Sequence, residues 1–441
     1  MLRQIGQYAA RFMTRHSTAL VLAMATSACA TAYPVAPPPN SSERPDEQAA
    51  SASLLTSDAL PNMYFVTDRQ RVTDGSRFGS ERSNTMTFGR VSVTVSGMTP
   101  DTYASYMLGN QKSSSLPQYT LGKLDDISEF PATPLPFSLV GGVIERNRQA
   151  ISNYRDASAS FRQALSAEFE GRNSGRVVLY VHGFNNSFET GTYNLLELWA
   201  ASGFGSVPIM FSWPTQQSSV LNYFEDTQDG AFSVYHLKET FRLIASTPGL
   251  KSVTVVAHSH GASIATSALR ELLIEARGSG LSMYDTYQIE TLILAAPDID
   301  LGVMEQRLVA EMFGVGFGQI NVYMNPDDNA LGLAGVVFGN RRFGKTSPEN
   351  LSPESRKVFQ GVKTVHFILV DDARGNERHN YFRMHPGVLA DIGMTLRTDA
   401  RPADPERPLE HLDLNFWHLD RTYRPIYRNP TGSPVSDGDR D

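Results

Sequence analysis

The stretch VVAHSHGAS, residues 255–263, decides how the chain is interpreted. The valine-rich residues 251–257 predict a buried strand, and the small and apolar residues from Gly261 onward predict a helix. A sharp strand-to-helix turn at Ser259 would hold its hydroxyl above the edge of a sheet. Strand and helix approach each other closely at such a turn, so the residues two before and two after must be small, as Ala257 and Gly261 are.

The composition predicts a large globular core and no nucleic-acid partner. The chain has 441 residues, 41% of them hydrophobic, and a net charge of −7 at pH 7. A protein that binds nucleic acid needs a basic surface that neutralises phosphates, and the sequence contains no basic stripe.

Residues 1–29 have the pattern of an export signal. Arg3, Arg11 and Arg15 come before the apolar stretch STALVLAMATSACATA, and no acidic residue precedes that stretch. The stretch is too short to span a bilayer comfortably. We therefore expect the protein to be exported.

The single cysteine of the chain, Cys29, lies where this signal should end. Its position after Thr-Ser-Ala resembles the lipobox of bacterial lipoproteins, in which the cysteine is acylated and becomes the new N-terminus. The alternative is an ordinary cleaved signal with a small-x-small site at residues 30–32. The lipobox interpretation predicts a protein of the bacterial cell envelope, bound to the membrane through an N-terminal acyl anchor.

The rest of the chain divides by composition. Residues 30–58, rich in Pro, Ser and Ala, predict a flexible tether. Residues 59–400 predict a single domain, with N-terminal strands and loops in 59–135 and the core in 136–400. The Pro-, Asp- and Arg-rich residues 401–441 predict a surface tail, with Phe416 and Trp417 as candidates to anchor part of it.

From Arg176 onward, apolar runs alternate with segments of amphipathic helical spacing. This alternation is typical of an α/β fold, a mostly parallel sheet with helices on both faces, whose ligand site lies beyond the carboxyl ends of the strands. The predicted strands are in RVVLYVHGF, SVPIMFSWP, KSVTVVAHSHG, ETLILAAPD, GQINVYMNPDD and KTVHFILVDDA.

A serine hydroxyl at such an edge becomes nucleophilic only when a histidine accepts its proton. His258 and His260 adjoin Ser259 in the tight turn, and we expect their rings to point away from its hydroxyl. They are poor candidates for metal ligands because no nearby Cys or acidic cluster would complete a coordination shell. His379 follows the last predicted strand on the correct side of the sheet, so it is the predicted base. The other histidines near this point are weaker candidates, His366 because it lies inside the strand and His385 because it precedes a proline.

Two loops offer an acid that would orient this histidine. Asp298 and Asp300 follow one predicted strand, and Asp327 and Asp328 follow the next. Both loops come between the serine and the histidine, and any of the four carboxylates also suits a turn or a helix cap. The residue pattern alone does not decide which of these carboxylates orients the histidine.

The oxyanion hole needs two backbone N–H groups directed at the developing negative charge. One is predicted at His260, the residue after the serine, and the other at Phe184 in YVHGFNNSFETG, where Gly183 lets the backbone approach the substrate. The alternative for this second loop is a simple turn that caps a helix.

Several blocks together resemble an uncharacterised branch of bacterial α/β-hydrolases that is grouped with esterases and lipases. The resemblance covers roughly residues 62–395. The chain departs from the family pattern A-H-S-M-G-N, since His260 and Ala262 stand where Met and Asn are usual. The blocks are YFVTDR, TFGRVSV, LYVHGFNNSFETG, PIMFSWP, YFEDTQD, VVAHSHGASIATSALREL, LAAPDID and HNYF.

The resemblance implies an α/β-hydrolase fold with Ser259 as nucleophile and His379 as base. It also implies that Asp328 is the acid, ahead of Asp298, because the family carries an acid two residues before Ala-Leu, as in DNAL.

We therefore expect a serine hydrolase that cleaves a small-molecule or lipid carboxylic ester through an acyl-enzyme, with no cofactor and no metal. The alternatives are a thioesterase or peptidase that uses the same triad, and an inactive hydrolase fold that serves as an envelope binding or scaffold protein.

Overall fold

A computed structural model describes the part of the chain considered below. It divides the chain into two compact units, Met1–Val35 and Ala36–Asp441, and residues 33–35 are all that is described of the first. The predicted export signal 1–29 and Cys29 lie outside the described residues. The described residues are 33–40, 60–110, 115–215, 222–328, 330–332, 342–345, 353, 356–357, 361, 363–373 and 377–426.

The apolar runs form the centre of one large sheet. Its strand order is β12-β13-β11-β10-β9-β8-β6-β7-β1-β2-β3, and the strands from β13 to β1 in this order run parallel. The strands β2, β3 and β12 pair antiparallel at the two edges. The strands are β1 (Met63–Arg71), β2 (Phe78–Ser96), β3 (Gln118–Glu129), β6 (Arg176–Val181), β7 (Val207–Ser212), β8 (Ser252–His258), β9 (Ile289–Ala295), β10 (Gln319–Met324), β11 (Val365–Val370), β12 (Glu410–Asp413) and β13 (Phe416–Leu419), and a separate hairpin consists of β4 (Phe137–Val140) and β5 (Val143–Arg146).

Helices cover both faces of the sheet, as the alternating pattern predicts. One buried apolar cluster packs α2, α4, α5 and α6 on one face, and a second packs α1, α3, α8 and α9 on the other. The short α7 continues into a π-helical turn, Glu305–Val309. The helices are α1 (Pro100–Met107), α2 (Arg148–Arg172), α3 (Phe188–Ala201), α4 (Asn222–Ala245), α5 (His260–Gly278), α6 (Met283–Tyr287), α7 (Leu301–Met304), α8 (Glu377–Met384) and α9 (Pro386–Thr398).

The strand order reverses at the centre of the sheet. Strand β6 lies between β7 and β8, so the chain continues to one side after β6 and returns to the other side to form β8. The loops after β6 and β8 therefore leave the sheet next to each other. In open α/β sheets this is where a ligand-binding crevice forms.

Part of the predicted tether packs on the domain. Ala36 is buried, and its N–H donates to Oε1 of Glu197 over 2.8 Å. The side-chain amide of Asn40 donates to the carbonyl oxygens of Arg421 and Tyr423. These hydrogen bonds hold a proline-rich strip that has no apolar periodicity of its own. Among the described residues, no helix is both long and apolar enough to cross a membrane.

The segment after residue 400, predicted to be a surface tail, forms part of the domain as far as Ile426. It adds β12 and β13 to the sheet and buries Arg407 completely. The guanidinium donates two hydrogen bonds of 2.8 Å to the buried carboxylate of Asp391, and Tyr323 and Tyr423 donate to the same carboxylate. The composition is misleading here because the segment combines a buried ion pair with a strand of only four residues, whose buried Phe416 and Leu419 are too few to form an apolar pattern.

We expect Arg407→Met to lower the free energy of unfolding by about 3–5 kcal/mol, because Asp391 would keep a buried charge without its partner. Urea denaturation measures this. Arg401→Met, the same change at an exposed position of the same segment, should stay within about 0.5 kcal/mol of wild type. A loss below about 1 kcal/mol for Arg407→Met would contradict the inclusion of this segment in the folded unit.

Strand β11 carries a buried histidine. Neither ring nitrogen of His366 has a hydrogen-bond partner within the described part of the chain, and burial lowers the pKa of the ring to about 4, with a smaller contribution from the charge of Arg407. The ring therefore has to be neutral in the folded protein, as a core side chain requires.

This histidine should make the protein less stable in acid. The unfolded ring binds a proton below pH about 6.5 while the folded ring stays neutral down to about 4, so stability is complete above 6.5 and falls by about 1.4 kcal/mol per pH unit below it. Between pH 8 and pH 5, we expect the free energy of unfolding of His366→Leu to fall by about 2 kcal/mol less than that of wild type. Urea titrations at both pH values measure this. The matched change at exposed His411 is the control, and equal pH slopes for His366→Leu and wild type would refute this account.

Candidate active site

Ser259 occupies a strained backbone conformation between β8 and α5. Its φ of 53° and ψ of −126° are rare for a residue with a side chain. Backbone hydrogen bonds hold it on both sides: its N–H donates to the carbonyl of Ala295, and its own carbonyl accepts from the N–H of Asp298. The surrounding structure therefore fixes the turn that the sequence predicts.

Small residues are needed at this turn because α5 lies directly on β6. A Cβ atom at Gly261 would lie 2.3 Å from the carbonyl oxygen of His182 and 2.6 Å from that of Val181, which backbone atoms cannot tolerate. Ala257, the other small position, is completely buried.

The hydroxyl of Ser259 does not cap its own helix. At α1, α2, α3 and α6 the serine, threonine or asparagine before the helix accepts a hydrogen bond from a helix N–H. Ser259 makes no such bond, and its Oγ lies 2.9 Å from Nε2 of His379. The hydroxyl is thus directed across the sheet edge to a histidine that is far away in the sequence.

Asp328 lies on the other side of this histidine. Its Oδ2 is 2.8 Å from Nδ1 of His379, while its Oδ1 accepts from the N–H groups of Ala330 and Leu331. The carboxylate is completely buried. An ionised carboxylate only accepts hydrogen bonds, so Nδ1 of His379 carries the proton and its Nε2 presents a lone pair to Ser259.

Asp298, the other candidate acid, faces a different partner. Its carboxylate pairs with the guanidinium of Arg342 at 3.3 Å. Asp300 caps α7 by accepting from the N–H of Val303. The structure thus brings Asp328, and not Asp298, to His379.

The HNYF block holds His379 in place. The hydroxyl of Tyr381 accepts from the N–H of Ala296 and donates to the carbonyl of Tyr323, which fastens α8 to the ends of β9 and β10. Phe382 stacks on the ring of His258 with 4.3 Å between ring centres.

His258 contacts the backbone of His379. Its Nε2 lies 3.0 Å from the carbonyl oxygen of His379, and burial, together with the nearby His379, holds the pKa of His258 well below its usual range. The ring is therefore neutral, and its Nε2–H donates to that carbonyl. This positioning contact is absent from the sequence prediction, which has no signal for it because residues 258 and 379 meet only in the folded chain.

The ring of His260 is buried beside the serine turn. Its buried ring lies against Trp213, 5.6 Å between ring centres, and burial lowers its pKa although Asp298 opposes that shift. Its backbone N–H belongs to the first turn of α5, where N–H groups point out of the helix end.

The loop after β6 approaches the serine closely. A Cβ atom at Gly183 would lie 2.8 Å from both Cβ of Ser259 and Nδ1 of His258. The next residue is Phe184, whose carbonyl accepts from the side-chain amide of Asn186. The two predicted oxyanion residues, Phe184 in this loop and His260 at the start of α5, are therefore on adjoining segments where the strand order reverses.

A buried arginine supports this loop. Nη2 of Arg69 donates to the carbonyl of Asn186 over 2.7 Å and to Nε2 of His182 over 3.2 Å, and its Nε donates to Oγ of Ser212. Burial lowers the pKa of Arg69 to about 10, so it stays charged at neutral pH. Residues 69 and 182 are far apart in the sequence. The pairings of β1 with β7 and of β6 with β7 bring them together.

His182 is neutral in this arrangement. Burial, and after it the charge of Arg69, holds its pKa well below the usual range. Since Arg69 donates to Nε2, the proton is on Nδ1 and donates to the carbonyl of Gly183 over 2.9 Å. Nε1 of Trp213 donates to the carbonyl of His182 over 2.7 Å. The loop that carries Phe184 is thus held by an arginine, a histidine and a tryptophan.

The remaining candidates have other roles or lie elsewhere. Nδ1 of His385 accepts from the N–H of Val388 at the start of α9, and burial lowers its pKa to about 4. An apolar cavity of about 380 Å³ lies against β9, β10 and β11, and Ser259 and His379 do not line it. In the described part of the chain, no three His, Cys, Asp or Glu side chains are grouped so that they could hold a metal ion.

Residues 157–397 match the family described as "Alpha/beta hydrolase of unknown function (DUF900)". No curated protein matches the sequence. A solved structure named "Pyrobaculum calidifontis esterase monoclinic form" is similar with 14% identity over 56% of this chain and 80% of that chain, but its TM-score of 0.22 is too low to support a conclusion. The family match spans more than half of the chain and confirms the resemblance seen in the sequence. The chain belongs to the α/β-hydrolases of unknown function, and it has their fold.

Proposed function

We propose that this hydrolase cleaves a carboxylic ester through an acyl-enzyme formed on Ser259. The observation that carries the proposal is the continuous hydrogen-bonded path from Oγ of Ser259 through both ring nitrogens of His379 to the buried Asp328. The path lies at the carboxyl edge of a parallel sheet, next to two loops whose N–H groups suit an oxyanion.

In the first half of the reaction, Oγ of Ser259 attacks the ester carbonyl carbon while Nε2 of His379 takes the hydroxyl proton. The carbonyl oxygen becomes an oxyanion, which the N–H groups of Phe184 and His260 stabilise. When the tetrahedral intermediate collapses, the bond to the leaving oxygen breaks and His379 gives its proton to the departing alcohol. The acyl group stays on Ser259.

In the second half, a water molecule attacks the acyl carbon and loses a proton to Nε2 of His379. Collapse of this intermediate returns the proton to Oγ of Ser259 and releases the carboxylic acid. Asp328 keeps the ring in the tautomer that accepts this proton and stabilises the imidazolium that forms in each half. Water is the co-reactant, and the second half regenerates the free hydroxyl of Ser259 and the neutral ring of His379.

The strain at Ser259 favours this activity over a purely structural role. A residue in such a conformation costs of order 1–3 kcal/mol, and strain of this kind clusters at active sites, ligand clamps and switch regions. A thioesterase or peptidase would use the same side chains, so the choice of acyl bond depends on substrate tests. The export signal and the acylation of Cys29 stay predictions.

We expect a fluorophosphonate probe to label the wild-type protein covalently and to leave Ser259→Ala unlabelled, because the probe reacts only with an activated serine. Gel fluorescence after labelling measures this. Ser263→Ala, four residues further along α5, is the matched control and should label like wild type. An unlabelled wild-type protein with an intact circular dichroism spectrum would support the inactive scaffold instead.

We expect Asp328→Asn to lower kcat/KM by about 10³- to 10⁴-fold, since an amide there no longer selects the histidine tautomer that accepts the seryl proton. Asp298→Asn, the same change at the acid that pairs with Arg342, should keep kcat/KM within about tenfold of wild type. Both are measured on the best substrate in a chromogenic ester series of increasing acyl length. The reverse order of the two losses would assign the acid to Asp298.

A further inference from the structure

The hairpin β4–β5 projects apolar side chains into solvent. Every residue of both strands is exposed, and the N–H of Asn147 donates to the carbonyl of Pro136 to close the base. Monomeric soluble proteins rarely expose a contiguous apolar group of this kind without a use for it. The exposed apolar residues are Phe137 at 54%, Leu139 at 67%, Val140 at 54%, Val143 at 63% and Ile144 at 62%.

The tip of this hairpin is apolar on both of its faces. Leu139 pairs with Ile144 on one face, and Val140 pairs with Val143 on the other. The turn between them is Gly141–Gly142, which adds no polar side chain. A groove on a protein surface would cover one face of a two-stranded ribbon, whereas a lipid medium surrounds both faces equally.

Charged groups follow at the base, about two residues from the tip, which corresponds to ~7 Å along a strand. Glu145 pairs with Ser138 and Arg146 pairs with Phe137, and the exposed Arg148 comes next. An apolar tip followed by two guanidinium groups matches the order of acyl chains and anionic headgroups in a membrane surface.

We propose that the β4–β5 hairpin inserts its tip into an anionic lipid surface. This binding rests on the shape and charge of the hairpin and does not require the proposed esterase activity. A result against one of the two proposals therefore leaves the other unaffected.

The test places an environment-sensitive fluorophore on the tip of the full chain. The background is Cys29→Ser, which removes the single native thiol, and Val140→Cys carries the probe. Ser279→Cys, an exposed site after the last residue of α5, is the matched control. Since each probe reports its own surroundings, contact of the N-terminal residues with lipid does not imitate insertion of the hairpin.

Vesicles of phosphatidylglycerol and phosphatidylethanolamine should shift the emission of the probe at 140 to the blue, and brominated acyl chains should quench it, with neither effect at 279. Leu139→Asp with Ile144→Asp should abolish both effects. Half-maximal shift should need roughly 5-fold more lipid with zwitterionic vesicles, because the two arginines contribute about 1 kcal/mol each at an anionic surface and Glu145 offsets one of them.

Four results would overturn the proposal. The first is no shift at 140, the second is an equal shift at 140 and 279, and the third is equal response to anionic and zwitterionic vesicles. A blue shift at 140 that depends on protein concentration without lipid would also overturn it, since the hairpin would then pair with a second copy of the chain.

Discussion

The close approach of helix α5 to strand β6 is the constraint on which the site depends. Gly261 lets the helix begin over the carbonyl oxygens of Val181 and His182, and the residue at this junction, Ser259, has a positive φ of 53°. The strain is held by the hydrogen bonds of Ser259 to Ala295 and Asp298 on neighbouring backbone. A looser junction would let the hydroxyl rotate back to cap its helix, and it would no longer face His379.

Burial then gives otherwise similar side chains different roles. His182 and His258 are kept neutral by burial, so they act as fixed hydrogen-bond partners. His379, part of whose side chain reaches the surface, has a serine on one nitrogen and a carboxylate on the other. Arg69 remains charged although it is buried, because polar groups surround it, and its charge helps to keep His182 in a single tautomer. The loop that carries Phe184 is thereby fixed in position, as the proposed oxyanion role requires.

Much of the site could be predicted because some of its signals are local. The strand-turn-helix pattern around Ser259 and the position of His379 after a strand are each contained in a short stretch of sequence. The acid could not be chosen from residue patterns alone, since both acidic loops follow strands. Arg342, which takes Asp298 away from the histidine, is distant in the sequence from Asp298 and meets it only in the folded chain.

The amino-acid sequence by itself determined the alternation of apolar strands and amphipathic helices, and with it the parallel sheet and the turn at residue 259, because these depend on neighbours a few positions apart. Only the tertiary structure decided which carboxylate meets His379, that Arg69 supports the loop of Phe184, and that the segment of Arg407 belongs to the domain. Those contacts join groups on elements that are far apart in the sequence, so strand pairing and burial, rather than spacing along the chain, set the distances.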